Sequence, residues 1–382
     1  MNTLRTIALS LLTVVSIFSA SAQNYGYSDG EITRSLVYNK GDFDSKFYRI
    51  PAIITMPDGS LLTVADKRID KLQDLPGRID VVARRSTDMG RTWGPYITVA
   101  AHDSLGGYGD PALVYDRRSG DVLVISTHGQ GLWLPTPGQI SVSRSHDGGL
   151  TWEAAVNINP QILTVDSLGI QPIKCNSAFA TSGRALQLKN GRIIFALVTR
   201  KEGVSPFPTY AIYSDDSGHT WHVSKTPITM DGDETKIEQL ADGTLMASIR
   251  NRYRNPRMFS HSKDNGVTWT EPVSAPTLPD PACNGSFIRY TYDGNDVLLH
   301  SLPTGGTRDN VTIFASTDQG TTWTPTYQVL NGPSTYSSMT VLPDGSIGIL
   351  TEEATHLADA AHLDGYRIWF TRIPAERVLP KQ

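Results

Sequence analysis

Ser262-Lys-Asp-Asn-Gly-Val-Thr-Trp269 is one of five copies of a single pattern, Ser-x-Asp-x-Gly-x-Thr-Trp. The others are Ser86–Trp93, Ser145–Trp152, Ser214–Trp221 and Ser316–Trp323. Five matches at five fixed positions make an internal repeat, and a repeat decides the fold before any single element does. The octapeptide reads as a turn. Its Asp bonds nearby backbone N–H groups, its Gly takes a positive φ, and its Trp packs beneath. The loops lack the alternating oxygen ligands that Ca²⁺ takes, so the Asp is read as structural.

A fainter repeat lies between the octapeptides. Short β-runs flank a Gly turn at Asp58-Gly59, Ser119-Gly120, Asn190-Gly191, Asp242-Gly243, Asp293-Gly294 and Asp344-Gly345. Such dipeptides between alternating apolar runs signal hairpins. An octapeptide follows each of the first five hairpins, and the sixth runs into the terminal β-run Arg367–Arg372. Each unit therefore reads as hairpin, third strand, turn and fourth strand. Repeated four-stranded antiparallel units predict an all-β chain folded as a six-bladed β-propeller. The run Glu31–Tyr38 is expected to pair with the last blade and close the ring, which removes exposed sheet edges.

Composition fits this reading. The chain of 382 residues is 39% hydrophobic and 19% charged, with seven Trp, 33 Gly and 23 Pro, and residues 23–382 read as one domain. The formal net charge of -4 argues against nucleic acid as a partner, so the positive charge for any anionic ligand must be local. Arg5, the short apolar run Ile7–Phe18 and Ala20-Ser21-Ala22 read as a signal peptide over residues 1–22. Export to the periplasm or medium is expected, without a membrane anchor. Cys175 and Cys283 are the two cysteines; they make no metal spacing, and whether they pair stays open.

Polar residues recur at fixed distances from the hairpin glycines. Arg49 and Asp110 stand ten before, Glu234 and Tyr336 nine before, Arg250 and Glu352 seven after, and Arg308 and Asp74 fourteen and fifteen after. A first strand runs up to the turn and the second returns, so all these positions share one end of the blade. The hairpin turns and octapeptides share the other. One mouth is thus expected to gather three arginines, four carboxylates and a phenol.

These residues resemble the sialidase (neuraminidase) family of the bacterial retaining type. The likeness is carried by Phe47–Pro51, by the octapeptides as Asp boxes, and by Asp233–Lys236 followed by Gly243 and Ser248-Ile-Arg250. Arg308 with Asn310, and Tyr336-Ser-Ser, complete it. Tyr48 and Thr351 depart from the residues common in the family at those places. The resemblance implies exo-hydrolysis of terminal α-linked sialic acid from glycans, with retention, by a monomer that needs no cofactor. It implies Arg49, Arg250 and Arg308 as the carboxylate-binding triad, since a guanidinium fork meets a carboxylate in a bidentate way. Glu352 would hold Arg49. Tyr336 would be the nucleophile, because the substrate carboxylate does not repel a neutral phenol. With an ordinary pKa of ~10, that phenol needs a base, the role implied for Glu234.

Asp74 would be the acid/base, with Asp70 as runner-up, and Asp110 a hydroxyl contact. Arg68 would face the glycerol or hydroxyl side of the sugar. Trp133 would either wall the N-acetyl pocket or pack within a blade. Arg252, Arg254 and Arg257 are expected at the rim or on the aglycone. A trans-sialidase, an anhydro-forming enzyme and a non-catalytic sialic-acid lectin remain the alternatives.

Overall fold

The computed structural model describes residues 32–132, 138–163, 177–200, 207–254, 256–304, 307–354 and 365–379. The segment read as a signal peptide, Trp133 and Cys175 lie outside the described residues. Among the described residues the strands form six sheets, one for each unit read from the sequence. Blade one is Phe47–Thr55, Leu61–Arg68, Ile79–Ser86 and Ile97–Ala100. Blade four repeats the plan with Thr235–Gln239, Leu245–Ile249, Met258–Ser262 and Val273–Ser274. Blade six takes Ser334–Val341, Ile347–Glu353 and Arg367–Ile373, and its fourth strand is Thr33–Tyr38 from the other end of the chain. The ring closes there, as expected. Blade three departs from the plain hairpin. Its first strand is split into Ser177–Ala180 and Leu186–Gln187, and Gly183–Arg184 between them pairs in parallel with Gly107–Tyr115 of blade two.

Both faces of each sheet meet a neighbouring blade, so the apolar core is divided among the interfaces between blades. Ala112, Val114 and Leu123 of blade two meet Ile193, Phe195 and Leu197 of blade three. Leu350 and Phe370 of blade six meet Tyr48, Ile53 and Leu61 of blade one. The Asp boxes lock these interfaces. In each box the Ser hydroxyl bonds the Asp carboxylate and accepts the Gly N–H. The same Asp accepts the Thr N–H and hydroxyl. The box glycines have positive φ and abut the preceding blade. A Cβ on Gly90 would lie 2.1 Å from Phe370, on Gly266 2.4 Å from Ile194, and on Gly320 2.4 Å from Met246. Blade six carries no box for a covalent reason: its third and fourth strands are not consecutive in the chain. Its contact with blade five uses the Tyr290 hydroxyl, which donates to Gly345 O at 2.6 Å, and the short helix Ala375–Val378.

Two outcomes follow. Gly266→Ala is expected to destabilise the protein by about 1–3 kcal/mol, read from urea unfolding, because the methyl has no space and the backbone is left-handed. Acid should loosen the boxes. The Thr151 hydroxyl and amide hold the Asp147 carboxyl down at about 2 against the opposing effect of burial. Its contribution is therefore present above the unfolded carboxylate value of ~3.9 and is lost as pH falls toward about 2. Asp147→Asn should flatten part of the acid limb of the stability curve.

Register separates the two ends of the blades. Leu61 faces Ser86, so hairpin turn and box lie together, while Arg49 faces Asp66 and Arg68 faces Ile79 at the far end. The first strands that carry these residues depart from plain pairing. In blade one Arg49 faces Asp66 but Ala52 faces Val64, and in blade two Gly109 faces Thr127 but Ala112 faces Ile125. Each is a β-bulge with one extra residue, a device that re-aims side chains. Arg49, opposite Asp66, stands at the level that Glu234 has in blade four, where the Arg250 N–H bonds Glu234 O at 3.1 Å. Asp110 lies inside the blade-two bulge, next to Gly109 at that level, and Tyr336 lies inside the same irregularity between Ser334 and Ser337 of blade six.

Candidate active site

The mouth end holds a cavity of about 230 Å³ lined by Arg49, Asp74, Asp110, Glu234, Arg250, Arg308 and Tyr336, with Leu75, Leu132, Phe179 and Phe207 as its apolar wall. Five blades contribute charged or phenolic groups.

Tyr336 stands at the floor, 7% exposed. Its hydroxyl donates to Glu234 Oε2 at 3.0 Å and accepts from Arg250 Nη1 at 3.2 Å. Arg250 also bonds Glu234. Burial first, and then the Glu234 charge, push the phenol well above its ordinary value, against the pull of Arg250 and Arg308. It is therefore neutral at physiological pH, with an acceptor already in contact. Ile50 and Cys283 pack against it. Cys283 is a buried free thiol.

The three arginines are anchored differently. Arg49 meets Glu352 as a fork, Nε to Oε1 at 2.9 Å and Nη2 to Oε2 at 3.0 Å. Glu352 has no exposed surface, and it also accepts the Ile50 N–H at 2.6 Å, the Thr335 hydroxyl and the Tyr336 N–H at 3.3 Å. Burial opposes its charge, but Arg49 and these donors hold the carboxyl below its ordinary value. Ile50 has φ 58, costly for a β-branched residue and tolerated where surrounding contacts over-determine it. The bond to Glu352 is one such contact. Arg308 is held by the carbonyl of Ala282 at 2.9 Å. The guanidinium carbons of Arg49 and Arg308 lie 5.0 and 5.7 Å from the Tyr336 ring centroid. Three fixed cations thus surround one phenol, which is what a carboxylate beside a reacting carbon requires.

Asp74 occupies the opposite wall on the turn between Arg68 and Ile79. Its side chain is 68% exposed and meets Arg68 Nη2 at 2.5 Å. Burial of the turn raises its proton affinity, but Arg68, Arg49 and Arg308 outweigh this and hold the carboxyl below the ordinary range. Asp110, at φ 55 in the blade-two bulge, goes the other way. Burial, with Asp66, Asp74 and Glu234 near it, pushes its carboxyl well above the ordinary range.

Several of the expected residues lie away from the cavity. Arg68 does not line the cavity: it is 1% exposed and sits behind the wall, bonded to Asp66 and Asp74. Asp70 turns outward onto Arg78 at 2.6 Å. Arg257 is buried completely on Asp280 and Cys283 O, so it is no rim residue. Arg252 does line the cavity, 3.9 Å over the Phe207 ring, and Arg254 is exposed. Two further residues support the site. Tyr366 stacks on Arg49 at 4.7 Å, and Asp66 backs Arg68. Asp66 shares the sequence register of the site, seven after Gly59, where Arg250 and Glu352 stand in their blades.

The family model for the BNR repeat-like domain matches residues 53–349. The chain belongs to the BNR repeat-like domain family. Among curated proteins of this kind it is 34% identical to a sialidase of Micromonospora viridifaciens over 334 residues, 81% of this chain and 50% of that protein. It is 31% identical to a sialidase of Bacteroides fragilis over 348 residues, 83% of this chain and 62% of that one. The chain thus spans about half to three-fifths of these relatives. Among solved structures it is similar to the Hadza microbial sialidase Hz136, with a TM-score of 0.79 and 29% identity, over 91% of this chain and 69% of the other. The six-bladed BNR scaffold and the likeness to sialidases read from the sequence both stand.

Proposed function

We propose that this protein is an exo-α-sialidase that removes terminal α-linked sialic acid from glycans with retention. The observation that carries the reading is the Tyr336–Glu234 hydrogen bond at 3.0 Å, set among Arg49, Arg250 and Arg308. The arginines take the sugar carboxylate. That anion offsets the positive field of Arg49 and Arg308 on Asp74, so bound substrate raises the proton affinity of Asp74 and prepares it as an acid. The Tyr336 oxygen attacks the anomeric carbon while its proton passes to Glu234. The bond to the glycosidic oxygen breaks, and Asp74 protonates that oxygen. Water then attacks the anomeric carbon as Asp74 accepts its proton. The tyrosyl bond breaks and Glu234 returns the proton to Tyr336. Asp110 and the apolar wall of Leu75, Leu132, Phe179 and Phe207 orient the rest of the sugar.

The test is release of sialic acid from α2,3- and α2,6-sialyllactose; no turnover of either, or of an aryl sialoside, would sink the reading. Glu234→Gln should lower kcat by roughly 10²–10⁴-fold with the fold intact by circular dichroism. No cofactor is proposed, so activity should persist in excess EDTA. Residues 1–22 are proposed as an export signal, with Gln23 as the first residue found on N-terminal analysis of the exported protein. A single band at the mass of one chain in size-exclusion chromatography is expected for a monomer.

A further inference from the structure

Asp66 lies in the second strand of blade one, 1% exposed, at the mouth end. Its two oxygens are divided between two parts of the site. Oδ2 accepts Arg68 Nε at 3.2 Å and Nη2 at 2.9 Å, and Oδ1 accepts the backbone N–H of Asp110 at 3.0 Å. Arg68 spends its remaining donors on the turn that carries Asp74: Nη1 bonds Leu72 O, and Nη2 also bonds Asp74 Oδ1. Gly109 of blade two lies against Asp66, where a Cβ would stand at ordinary contact distance, 3.4 Å, from Asp66 Oδ2. The same turn is pressed against blade two elsewhere. A Cβ on Gly107 would meet Gly77 O at 2.4 Å, and one on Gly131 would meet the Leu75 Cβ at 3.0 Å.

We propose that Asp66 is a positioning residue: it orients Arg68, which aims Asp74 at the leaving oxygen, and it fixes the left-handed Asp110 backbone that faces the sugar. The proposal rests on the sialidase reading above. Asp74 is largely exposed on a turn, so its side chain has many rotamers open to it, and one guanidinium selects among them. That guanidinium is in turn oriented by a buried carboxylate that touches no cavity space. A carboxylate two residues before an arginine on one strand shares its face, so Asp66 and Arg68 are preset by the strand itself.

The consequence is a dependence on the leaving group. A sugar alcohol needs protonation as it departs, whereas an activated phenol does not. In Asp66→Asn, kcat/KM on sialyllactose should fall about 10²-fold, the size of an acid-catalytic contribution, while kcat/KM on a 4-nitrophenyl sialoside falls less than about tenfold. Arg68→Lys, which keeps the charge but loses the fork, should give the same split and carries the test if Asp66→Asn does not fold. Equal losses on both substrates, or no loss on either, would overturn the proposal. The unmodified protein is the control for the underlying reading: if it turns over the aryl sialoside, the reading stands whichever way the variants behave, and if it turns over neither substrate, both claims fall.

Discussion

Tyr336→Phe is expected to lose roughly 10³-fold or more of kcat/KM while keeping its melting temperature within about 2 °C. The variant removes one oxygen and leaves the ring between Arg49 and Arg308, with Glu234 still paired to Arg250. Stability is therefore spared. Chemistry is not, because without that oxygen no tyrosyl bond forms and only substrate binding and acid catalysis by Asp74 remain. The size of the loss should not depend on the leaving group, in contrast to changes that act through Asp74. A Tyr336→Phe protein that turned over an aryl sialoside at the unmodified rate would place the nucleophile elsewhere.

The second large effect is on folding. Glu352→Gln should destabilise the protein by about 3–5 kcal/mol, because it leaves the Arg49 guanidinium buried without its counter-ion. The Ile50, Thr335 and Tyr336 donors lose their anionic acceptor at the same time. The double variant Arg49→Met with Glu352→Leu removes both charges together and should be less destabilised than the sum of the singles. Urea unfolding of the unmodified protein, Arg49→Met, Glu352→Leu and the double variant measures this; additive losses would contradict the coupling. The pH dependence has a definite sign. The Glu352 carboxyl is held below its ordinary value in the folded protein, so its contribution is complete above the unfolded value of ~4.3. It disappears as pH falls through the folded value. The acid limb of the stability curve should accordingly be shallower in Glu352→Gln.

Much of this architecture was legible in the residues because the chain repeats itself. The octapeptides mark where a third strand ends, and the hairpin glycines supply a common origin for counting. From that origin Arg250, Glu352, Glu234 and Tyr336 fall at one level of the ring, and the structure brings them together there. What counting supplies is level, not depth. Arg68 lies at the predicted end of its strand, yet it points behind the wall, because Asp66 two residues earlier captures it. Arg257 shares a segment with Arg250 and Arg252 but is drawn into the interior by Asp280 and the Cys283 carbonyl. Bulges were invisible for a similar reason. The extra residue at Ile50, at Asp110 and between Ser334 and Ser337 leaves no consistent mark in the sequence, because its cause is strand register. The split first strand of blade three depends on pairing with a different blade, which alternation within one segment does not encode.

The measurement that bears most directly on the proposed chemistry is ¹H NMR of the products formed from sialyllactose during the first minutes of reaction. The account predicts free α-sialic acid as the first product, followed by slow conversion to the β-anomer. Initial release of β-sialic acid would contradict a tyrosyl intermediate on Tyr336, and accumulation of an anhydro sugar or a sialylated acceptor would replace hydrolysis with transfer.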